Sequence, residues 1–494
     1  MTNPQSRRTL LKGVAAGAVA VGWSAATGTW ATAASAAPGR YSPLPQLDGV
    51  LETAPQVLAD FSADFGKMVT GTPRAVLRPG SVQDIVKIVR YARANRLTVA
   101  MNGQSGNGGD RESHSSYGQA AVPGGISIDA GKLATIHRVG ATSATVDAGV
   151  TWASLLDAAL TIGRTPPALP DYCHLSIGGT TSIGGIGGTV QKHGLLADTV
   201  REIDIVTGEG QLVTASAATR PELFFAALAG AGQVGIIVRA TVRLIPAQTT
   251  ATIMNLFYDD LATFAADQEK VLADGRFSHQ SGEIVRRPDD SGWRYKLEAV
   301  TYHSGAAPDP ARLLTGLRDD RAALQVVSMP YRDWILRLDP YEVFLKQEGF
   351  WSAPKPWLSL ILPASAAQRF IREVTAELTP GDLGAGFAGV YPFLTSKITR
   401  PLVALPGEKV AWLVDLLRFP PPGDPNIPAM LAQNRRLYDR AVALGGKRYL
   451  VGAIPGMTVD DWRAHFGAKY LPFRTLKRRF DPGAVLTPGA GFFQ

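Results

Sequence analysis

The chain has 494 residues, 45% of them hydrophobic and 19% charged, with a formal charge of +8. Those proportions describe a soluble globular protein, too long for one simple core and therefore built as two domains or one large α/β assembly. The basic surplus is modest and forms no cluster interleaved with aromatics, which argues against nucleic acid as a partner.

The first 37 residues stand apart. Arg7-Arg8 precede the apolar run "VAAGAVAVGWSAATGTW", and small residues follow in "ATAASAAPG", an A-x-A cleavage pattern near Ser35 to Ala37. This predicts a twin-arginine signal over 1–37 and a secreted or extracytoplasmic protein. The run is short for a membrane span and rich in Ala and Gly, so no membrane association is expected after its removal. Cleavage would remove Arg7, Arg8 and Lys12 and no acid, leaving +5. The single cysteine, Cys173, excludes an internal disulfide.

Next, "RAVLRPGSVQDIVKIVRYARANRLTVAMNG" predicts a strand, a Pro-Gly turn, a helix with Ile85, Ile88, Val89 and Ala92 on one face, and a second strand. Two or three short strands and a helix from Trp152 follow. "VREIDIVTGEGQLVTAS" carries a hairpin signal at Gly208-Glu209-Gly210. The helix "RPELFFAALAGAG" and the strand "GIIVRATVRLIPA" come after it. Beyond Pro246 glycine thins while aromatics and charges rise, which places a domain boundary near residue 248. The last 55 residues turn helical and basic. The fold class expected is α+β.

Two glycine-rich stretches, Asn102 to Gly109 and Gly178 to Gly188, suggest loops whose backbone amides pinch a phosphate-bearing ligand. Neither fits the G-x-G-x-x-G or the G-x-x-x-x-G-K-[ST] pattern. Taken alone, such glycines serve structural turns more often than ligands.

Order and neighbours add specificity. "HSSYGQA", "PDYCHLSIGGTTSIGGIGGTVQKHG", "REIDIVTGEGQLVTAS" and "AGAGQVGIIVRATVRLIPA" occur in the order and style of FAD-linked oxidases of the vanillyl-alcohol oxidase (PCMH-type) superfamily. Within it the chain most resembles the cytokinin dehydrogenases, which "KPWLSL", "QNRRLYDRAVALGGKRYL", "DDWRAHFGAKY" and "RRFDPGAVLTPGAGFF" also match. The resemblance runs from about Val50 to Phe493. It implies a PCMH-type FAD-binding domain of two α/β subdomains over 38–248, an α+β substrate domain over 249–440, and a segment over 441–494 that returns to the FAD-binding domain.

The same resemblance implies the site. His114 stands where relatives bond the flavin covalently, although "SGNGGDRES" is inserted before it and Asn102-Gly103-Gln104 replaces an arginine-containing start. Gly103, Ser115, Gln119, Tyr172, Ser176, Gly179, Ser182, Ile186 and Ile237 fall at cofactor-contacting positions. Asp171 matches the aspartate that accepts the substrate proton as hydride passes to flavin N5. The second acid of the plant enzymes is replaced by Ser281, with Glu283 two residues on and on the same strand face. Ala490 takes the place of a flavin-contacting glutamine. Cys173 falls one residue from the cysteine that some relatives link to FAD, and a buried free thiol is the favoured reading.

The expected protein is an exported FAD-dependent oxidoreductase, cytokinin dehydrogenase-like, cleaving an amine C–N bond and passing electrons to oxygen or a quinone. The alternatives are the same chemistry on an alcohol, a sugar or a secondary-metabolite intermediate, and a flavin-binding protein without turnover. No metal is expected, because the seven histidines show no ligand spacing.

Overall fold

The computed structural model describes residues 19–32, 41–103, 105–107, 113, 117–289 and 291–493. Among them no helix is long and apolar enough to cross a membrane.

The first structure is a hairpin of β1 (Ala20–Ser24) and β2 (Thr29–Thr32), joined by the short β3 (Ser42–Pro43). Trp23 is buried and Trp30 stacks on Tyr91, with ring centroids 6.2 Å apart. The hairpin lies inside the stretch that the sequence assigns to a signal, so cleavage near Ser35 would strip it from this core.

A four-stranded sheet follows, of β4 (Val50–Glu52), β5 (Ala75–Arg78), β6 (Val99–Asn102) and β7 (Ile126–Asp129), in the order β4-β5-β7-β6. β7 runs parallel to both β5 and β6, which requires a crossover. The helix Val82–Ala94 supplies it for β5 and β6, with Ile85, Ile88, Val89 and Ala92 fully buried, and this is the face that the spacing predicts.

β8 (Ile136–Val139) and β9 (Ser143–Asp147) lead to the helix Trp152–Leu160, which begins at the residue expected. The Thr151 hydroxyl caps it by accepting from the Ser154 amide at 3.2 Å. The two-residue β10 (Arg164–Thr165) comes next. β11 (Val200–Val206), β12 (Leu212–Ser216) and β13 (Ile236–Arg243) complete an antiparallel sheet in the order β12-β11-β13-β9-β8. The short β14 (Ile245–Pro246) pairs with β10.

The remaining strands form one eight-stranded antiparallel sheet: β15 (Thr250–Tyr258), β16 (His279–Arg286), β17 (Trp293–His303), β18 (Gln325–Pro330), β19 (Leu358–Pro363), β20 (Phe387–Leu394), β21 (Val410–Leu417) and β22 (Lys447–Arg448), in the order β18-β15-β17-β16-β20-β21-β19-β22. Period-two alternation divides its residues between two faces. One packs Leu297, Val390, Val414 and Leu360 with Phe264, Phe370 and Tyr438 of three helices. On the other, Tyr391, Leu413 and Ile361 meet Val190 and Leu195 from the first half of the chain. The C-terminal helices Val459–Phe466 and Tyr470–Phe480 share a core with Trp152 and Ile203 of the first half.

Candidate active site

Between the two halves lies a small cavity, bounded by the Pro166–Asp171 segment, Thr189, His279 of β16, Tyr302 of β17, and Arg337. The proline-rich approach fixes the backbone into Asp171. The Asp171 carboxylate is 41% exposed, and its Oδ1 accepts from Arg337 Nη2 at 2.7 Å. Arg337 also lies over the Trp334 ring at 4.1 Å, and Trp334 Nε1 donates to Tyr302 Oη at 3.2 Å.

Glu298 completes the group. Its Oε1 is 4.0 Å from Arg337 Nη2, 3.6 Å from His279 Nε2, and accepts from Ser281 Oγ at 3.2 Å. Burial alone would raise its pKa, but His279 and Arg337 outweigh it and hold the carboxyl at about 2. Burial likewise works against the Arg337 charge, and Asp171 with Glu298 more than offsets it. Desolvation pushes the Tyr302 hydroxyl well up, leaving a neutral donor at the cavity wall.

Ser281 and Glu298 are directly opposed across β16 and β17. A carboxylate therefore stands beside Ser281, supplied by the neighbouring strand. Glu283, one row along, is paired with Lys296 at 2.9 Å, and burial raises its pKa. It shares the sheet face of Ser281 but is already engaged.

The expected cofactor residues divide. Gly103 follows β6, and a Cβ there would stand 2.8 Å from Ser176 Oγ, so the two segments approach closely at this point. Ser176 is buried at the N-cap of the helix Ile177–Ile183. That helix corrects the first part of the expected loop from Gly178 to Gly188, and residues 184–188 lie outside it: Gly178 packs against Ala148, and Gly179 faces Ser176. Gln119 Nε2 donates to the Leu450 carbonyl, tying the N-terminal half to the C-terminal segment. Ser182 Oγ donates to the Gly178 carbonyl at 2.7 Å inside its own helix. Tyr172 donates to Glu342 Oε2 at 3.0 Å and meets Trp351 edge-on. Ile186 packs with Tyr391 and Tyr449. Ile237 is 4% exposed within β13. His114 and Ser115 lie outside the described residues.

Asn102 Oδ1 and Thr189 Oγ1 are buried without a hydrogen-bond partner, one at the end of β6 and one on the cavity wall. Buried polar atoms seldom stay orphaned. With the bare backbone at Gly103, they fit a large polar cofactor seated between the halves. Cys173 is buried, its Sγ 3.3 Å from the Pro170 carbonyl, and burial pushes the thiol far up. His174, Asp339 and Glu342 cluster nearby, with His174 Nε2 on Asp339 at 2.9 Å and Lys346 on Glu342 at 2.7 Å.

Two family models match the chain: an FAD binding domain over residues 73–216, and the FAD and cytokinin binding region of cytokinin dehydrogenase 1 over 290–493. Cytokinin dehydrogenase 4 of Oryza sativa subsp. japonica is 32% identical, the match covering 87% of this chain and 88% of that protein. The chain belongs to the cytokinin dehydrogenase family. It is an FAD-linked oxidase or dehydrogenase with a PCMH-type FAD-binding domain, acting on a small-molecule substrate and passing electrons to an acceptor. An uncharacterized oxidoreductase of the fasciation locus of Rhodococcoides fascians is 37% identical over 90% of this chain and 99% of that protein. Cytokinin dehydrogenase 2 of Arabidopsis thaliana is 31% identical over 90% and 94%.

Arg337, His279, Tyr302 and Tyr331 of the cavity wall were not singled out from the sequence, nor was Glu298, which contacts Arg337 and His279. Glu298 left a signal, because "WRYKLEAVTYH" carries Arg294, Lys296 and Glu298 at alternate positions between Tyr295, Leu297 and Ala299. Arg337 left none, since it meets Asp171 across 166 positions.

Proposed function

We propose that the protein is an exported oxidoreductase that oxidises the C–N bond of a small secondary amine, as a cytokinin carries, with Asp171 accepting the proton from nitrogen. The observation that carries this reading is the carboxylate of Asp171, held by Arg337 through Oδ1 yet partly exposed on a cavity between the two halves. A fixed carboxylate at the reacting nitrogen is what removal of the N–H proton requires. FAD held there would supply the two-electron acceptor for hydride from the adjacent carbon.

The chain's own residues do the rest. Arg337 fixes the orientation of Asp171, and Glu298 balances the arginine charge. The neutral hydroxyls of Tyr302 and Tyr331 line the cavity, where burial keeps both protonated. Gly103, Ser176 and Gly179 border the seat of the cofactor, and His114 is the residue proposed to bond it covalently. Export rests on Arg7-Arg8 and the apolar run behind them. Oxygen or a quinone serves as the final acceptor.

The test is the absorbance of the purified protein from about 300 to 600 nm, the flavin window, before and after acid precipitation, followed by addition of isopentenyladenine. Yellow colour that stays in the pellet and is lost in His114→Ala supports the covalent link, and release into the supernatant removes it. Bleaching by the cytokinin supports the amine reading. Flavin that no amine bleaches would overturn it.

A further inference from the structure

The carboxylate of Asp64, 6% exposed, holds two turns of the first half together. On its own turn, Oδ1 accepts from the Lys67 amide at 3.1 Å. Oδ2 reaches across the fold and accepts from the amide of Gly118, 54 positions later. Both turns pass through left-handed backbone at residues other than glycine, with φ of 54° at Lys67 and 53° at Tyr117. A bulky side chain rarely adopts that conformation, and it persists only where the surroundings impose it.

The segment that carries His114 is anchored on both flanks. Ahead of it, the Gly106 amide donates to the His174 carbonyl at 3.0 Å. Behind it stands the Tyr117–Gly118 turn, which runs on into Gln119. This turn is seated on the C-terminal segment: the Gln119 side chain donates to the Leu450 carbonyl, and a Cβ at Gly489 would fall 2.2 Å from the Gly118 oxygen. The Asp64 turn is itself backed by the second half. There Lys355 donates from its amide to the Gly66 carbonyl at 2.9 Å and from Nζ to the Phe65 carbonyl at 3.1 Å. A short link between fixed ends has few conformations open to it. Fixing Gly118 therefore restricts what the link can reach.

We propose that Asp64 is a positioning residue for the cofactor seat: it holds the left-handed Tyr117–Gly118 turn, and with it the reach of Gln119 and of the His114 segment toward FAD. Its action passes through the turn. The assignment rests on FAD occupying the seat bordered by Gly103 and Ser176, and it applies to bound flavin whether or not His114 is bonded to it.

The experiment compares the flavin-to-protein absorbance ratio and the visible circular dichroism of the purified holoprotein. The proteins are the wild type, Asp64→Ala, Asp64→Asn, and each of these variants combined with Tyr117→Gly. Thermal unfolding reports which are folded. Removing the carboxylate is expected to lower flavin content by about threefold or more in Asp64→Ala, a modest reading of the loss of hydrogen bonds to a charged group. The loss should be smaller in Asp64→Asn, whose amide oxygen still accepts an N–H. Glycine adopts positive φ without strain, so Tyr117→Gly should restore most of the flavin content and dichroism to Asp64→Ala. A merely structural role would give no such rescue. Flavin content and dichroism unchanged in folded Asp64→Ala would overturn the assignment, as would a loss that Tyr117→Gly leaves in place. If Asp64→Ala fails to fold, Asp64→Asn decides by the same two criteria. Wild-type flavin released by acid would overturn the covalent link alone, so the two readings fail separately.

Discussion

Arg337 Nη2 lies 2.7 Å from Asp171 Oδ1 and 4.0 Å from Glu298 Oε1, so one guanidinium holds an acid from each half of the chain. The contact fixes the geometry of the cavity and also contributes to cohesion between the halves. Glu298, buried and held at about 2, depends on this cation and on His279.

Arg337→Met is therefore expected to lower stability by about 3 kcal/mol, the usual result of leaving one buried charge without its partner. Because the Glu298 pKa is depressed from 4.5, its contribution is complete above that value and fades as pH falls toward about 2. Denaturant unfolding of both proteins at pH 7 and near pH 3 checks this. The gap between them should be wide at pH 7 and narrow at the lower pH, and an equal gap at both would show that Glu298 does not depend on Arg337.

Gly188→Ala tests the packing behind the site. A Cβ at Gly188 would fall 2.2 Å from a His279 ring atom, so the imidazole must move. His279 is buried, with its ring edge-on to Trp334 at 5.5 Å, and has little room to retreat. The cost expected is about 1–3 kcal/mol, as for other overpacked interiors, together with reduced turnover as Glu298 loses its neighbour. A variant with the wild-type melting temperature would show that the His279 ring yields freely.

Much of the fold was legible beforehand, and the reason is physical. The helix Val82–Ala94, the helix starting at Trp152 and the hairpin of β11 and β12 are specified by local periodicity, capping and turn residues. The helix Ile177–Ile183 was read as a loop because Gly178 and Gly179 lower local helix propensity. Tertiary packing against Ala148 overrides that preference. At the site, Asp171 could be named because a matched segment surrounds it. Arg337 and His279 could not, because each gains its meaning from partners brought by distant strands. Glu298 is intermediate: its alternation with Lys296 was visible, but only the register of β16 and β17 sets it against Ser281.

Asp415 makes a separate prediction about stability. Its pKa rises from 3.8 to about 7 on folding, so between those values the folded chain binds more protons than the unfolded one. Stability attributable to this group is thus greatest in acid and is lost as pH rises toward 7. Asp415→Asn removes the titration. The melting temperature of the variant relative to the wild type should rise between pH 5 and pH 8. A constant difference would mean that Asp415 does not change its protonation over that range.

Asp171→Asn separates chemistry from assembly. The amide keeps an oxygen to accept from Arg337 but cannot serve as a base for the amine proton. Because Asp171 is partly exposed, the exchange leaves the buried Arg337–Glu298 contact in place, and the flavin spectrum and melting temperature should change little. Turnover with isopentenyladenine should fall by about 10²–10⁴-fold, the usual share of a positioned general base. Raising the pH should recover part of it if the loss is one of proton removal, because more hydroxide is then available as base. Full turnover in the variant would take Asp171 out of the mechanism, while lost flavin absorbance would recast it as a residue that supports the cofactor seat.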